Sequence, residues 1–163
     1  MDLVFFPLYD KILYYWFPPS EGYDVCVQWP IPDGDPTGDL PISFVIEHNS
    51  YPLLLVNVGA PTDFRFQSGR SHSRATAFCH LDFVGPTNDY SDRLYEIAAI
   101  GKRWRAWYTP KGGGGEEVRA VKGVARVNSI RSDKPDCWNP DITSDASWTA
   151  LQSIVETIKG YVV

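Results

Sequence analysis

Two periods of apolar residues run along this chain, and the switches between them mark out its elements. From Leu3 to Phe17, Leu8, Ile12, Tyr15 and Trp16 recur at helical spacing, with Pro7 near the start, where proline is least disruptive. This predicts a first helix, stopped by Pro18 and Pro19. From Gly22 to Trp29 the period drops to two, with Tyr23, Val25, Val27 and Trp29 on one side and Asp24, Cys26 and Gln28 on the other, which predicts a strand. Pro30 to Asp39 is rich in proline, glycine and aspartate and reads as a loop. Two β-branched runs follow, Ile42 to Ile46 and Leu53 to Val58, flanking a polar connector at Glu47 to Tyr51. That is the pattern of a hairpin covered on both faces, and it is the expected centre of the fold.

Beyond Pro61, Ala75, Ala77, Phe78, Leu81 and Val84 give a moderately amphipathic helix over Ser68 to Val84, closed by Gly85-Pro86. Leu94 to Ile100, and the alternation of Trp104, Ala106 and Tyr108 with Arg103, Arg105 and Trp107, predict a second hairpin turning near Gly101-Lys102. Val118 to Ile130 suits a last edge strand with Arg119, Lys122, Arg126 and Arg131 outward. Asn139-Pro140-Asp141 makes a turn. The clearest helix has Ser144 as its cap, Trp148, Leu151, Ile154, Val155 and Ile158 on one face, and Gly160 as its stop. Trp138 and Trp148 are expected in the core. The sum is an α+β or mixed α/β fold, a central mixed β-sheet flanked by helices.

At 163 residues the chain suits a single domain over 1–163, and at 44% hydrophobic and 14% aromatic it has enough apolar surface to offset its ordering entropy. A formal charge of −5 argues against broad adhesion to nucleic acid while leaving room for a local basic face. Cys26, Cys79 and Cys137 lack zinc-finger spacing and read as buried thiols of a reducing compartment. The apolar start has no basic leader and is interrupted by Asp10 and Lys11, so no membrane segment and an intracellular location, cytoplasmic or nuclear, are expected.

Candidate chemistry is sparse. Gly112 to Gly115 lack the strand-before and helix-after context of a phosphate cradle and read as a surface linker. His48 belongs to the first hairpin turn. Cys79 and His80 are adjacent on a helix, about 100° apart, and so form no nucleophile–base pair; a core cysteine and surface histidines at His72 and His80 are expected. Lys102, Arg103 and Arg105, interleaved with Trp104, Trp107 and Tyr108, have the composition of a nucleic-acid contact. They also suit a strand with one packed and one solvated face, which is the favoured reading.

Asp39 precedes the first hairpin strand, and Asn57 and Gly59 end the second after Leu-Leu-Leu-Val. This layout resembles the PD-(D/E)XK, or restriction-endonuclease-like, nuclease family, in which an aspartate opens one strand and an acidic-x-lysine triplet ends its neighbour. The words Tyr15-Trp16-Phe17-Pro18-Pro19-Ser20-Glu21-Gly22-Tyr23-Asp24-Val25 and Asn139-Pro140-Asp141-Ile142-Thr143-Ser144-Asp145-Ala146-Ser147-Trp148, with the final helix, are similar to basidiomycete fungal proteins of this type. The resemblance implies a restriction-endonuclease-like fold and an ancestral Mg²⁺ site. It places Asp39 at the first aspartate, Glu21 at the helix-associated glutamate, Asn57 at the second acid and Gly59 at the lysine.

The departures from that pattern set the expected function. Asparagine lacks the anionic charge that draws water from Mg²⁺, and glycine has no amine. Either loss costs several kcal/mol of barrier stabilisation, roughly two to three powers of ten in rate. Metal binding at Asp39 and Asn57 is expected to be weak or absent. The expectation is a pseudonuclease that binds nucleic acid or a protein partner. The alternatives are an active Mg²⁺-dependent nuclease with a rearranged site and a fungal defence or cytotoxic protein. Glu47, Asp63, Lys102, Arg70 and Arg74 are the candidates for replacement charges, and Glu47 lies at the far end of its strand, about 25 Å from Asp39.

Overall fold

The structure, a computed structural model, describes residues 4–29, 42–87, 90–113, 119–121, 132–139 and 141–162. Helix α1 (Phe6–Trp16) leads to strand β1 (Tyr23–Trp29) and then to the hairpin β2 (Ile42–His48) and β3 (Tyr51–Gly59). Helix α2 (Gln67–Val84) connects to a second hairpin, β4 (Arg93–Ile100) and β5 (Arg103–Pro110). A two-residue β6 (Arg119–Ala120) and helix α3 (Asp145–Tyr161) complete the order. The six strands form one sheet in the order β1-β2-β3-β4-β5-β6. Every neighbouring pair is antiparallel except β3 and β4, which are parallel. A parallel pair needs a crossover, and α2 supplies it. The result is an α+β protein with a mixed sheet.

Local chemistry explains most boundaries. Asn49 and Ser50 have φ of 53° and 66°, the paired positive values of a two-residue hairpin turn whose twist matches that of the strands. Ser144 caps α3 by accepting from Ser147 N at 3.2 Å, as the sequence predicts. Gly160 does not stop that helix, which continues to Tyr161 because a glycine in a last turn weakens a helix without breaking it. The first helix begins at Phe6 rather than Leu3, with Pro7 in its opening turn. Of the expected edge strand at Val118 to Ile130, only Arg119–Ala120 is described as strand, and Lys122, Arg126 and Arg131 lie outside the described residues.

The sheet separates two cores. On one face α1 and α3 bury Leu13, Phe44, Leu54, Val56, Ile97, Trp104, Leu151 and Ile158. On the other, α2 covers Val45, Leu55, Leu81, Leu94, Ala98, Trp107 and Trp138. Trp138 is buried, whereas Trp148 is 36% exposed, contrary to expectation. The inward stripe of α3 is filled by Leu151, Ile154, Val155 and Ile158, which leaves Trp148 to lie against Tyr15 and Trp16 at the helix margin. The thiols also depart from the reading, since Cys137 is buried but Cys26 and Cys79 are only half-buried. Among the described residues no helix is long and apolar enough to cross a membrane.

Candidate functional site

The antiparallel register sets Phe44 opposite Val56, so the opening of β2 meets the close of β3. There the Ser43 hydroxyl donates to Asn57 Oδ1 at 3.2 Å and accepts from Val58 N at 3.1 Å. The asparagine carbonyl oxygen, the atom a cation would seek, is thereby engaged by a neutral donor. Gly59 closes β3 in register with Ile100 of β4, and its carbonyl accepts from Gly101 N at 3.1 Å. A Cβ at Gly59 would stand 3.4 Å from the Ala99 carbonyl oxygen, an ordinary contact, so this glycine is not imposed by crowding.

The chain then makes a 3-10 turn at Pro61–Arg65 and enters α2. Gly69 lets the helix lie directly on this turn: a Cβ there would come within 2.1 Å of the Asp63 carbonyl oxygen. His72, Ser73 and Thr76 fall on the helix side facing the strand ends, consistent with neighbours three and four residues apart sharing a surface. Together with Ser43, Asn57, Gly59 and Asp63 they line a cavity of about 190 Å³. The structure therefore gathers Asn57 and Gly59, and the rescue candidate Asp63, at one place beyond the central strand ends.

Other nominated residues are elsewhere. Asp39 lies outside the described residues. Glu21 pairs with Lys159 Nζ at 2.5 Å, beside the end of β1 where Tyr23 faces His48. From Ser43 to His48 is roughly 17 Å of strand, so Glu21 sits at the opposite end of the sheet from Asn57. Glu47 is at that same distant end, paired in register with Asp24 and Pro52, as the sequence predicts. Arg70 and Arg74 are turned away to Asp133: Arg70 Nε donates to its carbonyl at 2.6 Å, and Arg74 Nε lies 2.7 Å from its carboxylate. Hydrogen bonds from Arg74 and Ser71 outweigh the upward push of burial and hold Asp133 below the usual carboxylate range.

Lys102, Arg103 and Arg105 do not form one face. Lys102 is half exposed, 3.9 Å from Asp141, and Arg103 stacks over the Phe64 ring at 4.7 Å. Arg105 is buried, donates to the Ser132 carbonyl at 2.5 Å and lies over the Trp107 ring, and burial pulls its pKa down. No protein-family model, curated protein or solved structure matches the chain.

The layer that holds the cavity also contains a pair that pattern reading misplaced. His80 is 1% exposed, not a surface residue, and its Nδ1 lies 2.7 Å from Glu96 Oε1 on β4. Burial raises the Glu96 pKa, against the opposing pull of His80. The signal lay in the sequence: a lone glutamate inside the apolar run Leu94 to Ile100 needs a buried partner, and α2 is the helix that crosses this strand. Ser43, His72, Ser73 and Thr76 were also missed as cavity residues, because their meeting depends on the crossover geometry of α2.

Among the described residues, Asp63 is the one carboxylate this cavity offers to Mg²⁺. That ion requires oxygen ligands, usually with one or two carboxylates. No group of three or more His, Cys, Asp or Glu among the described residues stands where it could hold a metal. What remains is a small polar recess of hydroxyls, one amide, one imidazole and one acid.

Proposed function

We propose that this chain is a pseudonuclease, a PD-(D/E)XK-like scaffold with impaired hydrolysis that works by binding a partner. One observation supports the reading above the others: Asn57 and Gly59 line a cavity formed where two neighbouring strands end, the place the resemblance assigns to phosphodiester chemistry. The charge that the chemistry demands is missing from both positions, and Ser43 already engages the asparagine. A protein partner fits better than nucleic acid, because Arg105 is buried and Lys102 faces an aspartate, leaving no exposed row of cations on that hairpin.

The test pairs an assay with a restoration. The wild-type chain is expected to leave plasmid and RNA uncut in Mg²⁺ or Mn²⁺, and to show no salt-sensitive nucleic-acid affinity that falls with Lys102→Ala and Arg103→Ala. Asn57→Glu together with Gly59→Lys should introduce measurable cleavage, since the space at Gly59 accepts a side chain. A folded but inactive double variant would count against the assignment. The second reading is a working nuclease with a rearranged site, favoured by Asp63 lining the same cavity. Wild-type cleavage that Asp63→Asn abolishes would establish it in place of the first.

A further inference from the structure

On the opposite face of the sheet, between the β4–β5 hairpin and α3, lies a second cavity of about 250 Å³. Arg93, Tyr95 and Tyr108 form its strand wall, and Ser153, Ile154 and Thr157 its helix wall. Arg93 is the notable member. Its guanidinium carbon lies over the Tyr108 ring, 4.4 Å from the centroid, and Nη1 donates to the Tyr95 hydroxyl at 3.4 Å. Among the described residues no carboxylate stands within 4.0 Å of it, whereas Arg74, Lys102 and Lys159 each have one. A guanidinium carries five N–H donors, of which the described residues engage one in a single long hydrogen bond.

The surroundings suit an oxyanion. Tyr95 is 2% exposed, and burial pushes its hydroxyl up, so it stays a protonated donor at neutral pH. While accepting from Arg93, it still has its own proton to give. On α3 the Thr157 hydroxyl is committed as a donor to the Ser153 carbonyl at 2.8 Å, and the side of Ser153 also lines the recess. Ile154 and the ring of Tyr108 provide apolar surface beside the cation. Contact with the Tyr108 ring and the Tyr95 hydroxyl restricts the guanidinium, which lowers the entropy lost when it takes a planar or forked anion.

We propose that this recess is a binding site for a small organic oxyanion, whose carboxylate or phosphate group is held by the Arg93 fork and the Tyr95 hydroxyl while its apolar body lies against Tyr108 and Ile154. The volume admits a ligand of few atoms and not a nucleotide or peptide. The site shares no residue with the cavity at Asn57 and stands whether or not the nuclease-like reading does.

Calorimetric titration with benzoate and with phenyl phosphate, at matched ionic strength, tests the idea. At least one should bind saturably, with chloride giving no such signal. Arg93→Gln should weaken binding about tenfold or more, and Arg93→Lys, which keeps the charge but loses the fork, should also weaken it severalfold. Tyr95→Phe should produce a smaller loss. Each variant is to be matched to wild type in its unfolding transition. Saturable binding of neither probe, or undiminished affinity in a folded Arg93→Gln protein, would overturn the proposal; preference for one probe tells carboxylate from phosphate.

Discussion

The two faces of the sheet are built from the same strands and yet hold together differently. The face under α1 and α3 is aromatic and aliphatic, with Phe44, Leu54, Val56, Ile97 and Trp104 almost fully buried, and its polar groups are mainly ring-borne hydroxyls and an indole N–H bonded to Ser147. The face under α2 mixes apolar packing with buried chemistry: Ser43 and Asn57 at the strand ends, Glu96 with His80 in the middle, and Arg105 and Asp133 at the flank. Replacing a buried polar pair by well-packed apolar side chains is often neutral or stabilising, so this face is expected to draw less stability from its area than the apolar one. That difference sets the recess at Asn57 among buried polar groups, while the recess at Arg93 opens on the more apolar face.

Substitutions on the two faces can sharpen or break this contrast. The largest loss is expected from Trp104→Ala, about 3–5 kcal/mol by denaturant unfolding, because it leaves a cavity in the apolar core and frees the Ser147 hydroxyl. His80→Leu should come next, at about 3 kcal/mol, since Glu96 would remain buried without its imidazole. Adding Glu96→Leu should recover much of that loss. If the double variant were worse than the single, the pair would be a source of stability and the contrast would be wrong.

The same pair has a pH signature. Burial raises the Glu96 pKa above its ordinary value of 4.5, so the folded chain holds that proton more tightly than the unfolded chain does. This contribution is full below 4.5 and is lost as pH rises through the folded-state value. Relative to Glu96→Gln, which cannot titrate, wild-type stability should fall over that interval; parallel profiles would refute the assignment.

Gly69→Ala should cost about 1–3 kcal/mol, because its methyl group would meet the backbone of Asp63 at 2.1 Å and no flexible side chain can yield. It should also displace the turn that lines the cavity, which amide shifts at Asp63 would report. The smallest effect is expected at Asn57→Ala, about 1 kcal/mol or less, because Ser43 keeps its bond from Val58 N and the cavity is already open to water. A large loss there would make Asn57 a structural residue and would remove the reason to see this end of the sheet as a site.

Much of the architecture was legible in residue order. Strand and helix periods located all three helices and the long strands, since burial of one stripe or of alternate side chains leaves a record in the sequence. The Ser144 cap followed from local backbone chemistry, and the turn at Asn49-Ser50 fell inside the expected connector Glu47 to Tyr51, whose ends belong to the strands. The positions of Asn57 and Gly59 at a strand end were likewise readable from the run Leu53 to Val58.

Only the tertiary structure decided which neighbours meet. The helical position of His80 says nothing about its depth; that came from α2 crossing β4, which sets Glu96 against it. Arg105 looked like a surface cation by alternation, but α2 and the segment at Ser132 and Asp133 cover its side of the sheet. Glu21 and Asn57 seemed eligible for one site until the strand register put them at opposite ends. Periodicity reports the side on which a residue lies; register and crossover determine what faces it, because those depend on contacts between residues far apart in the chain.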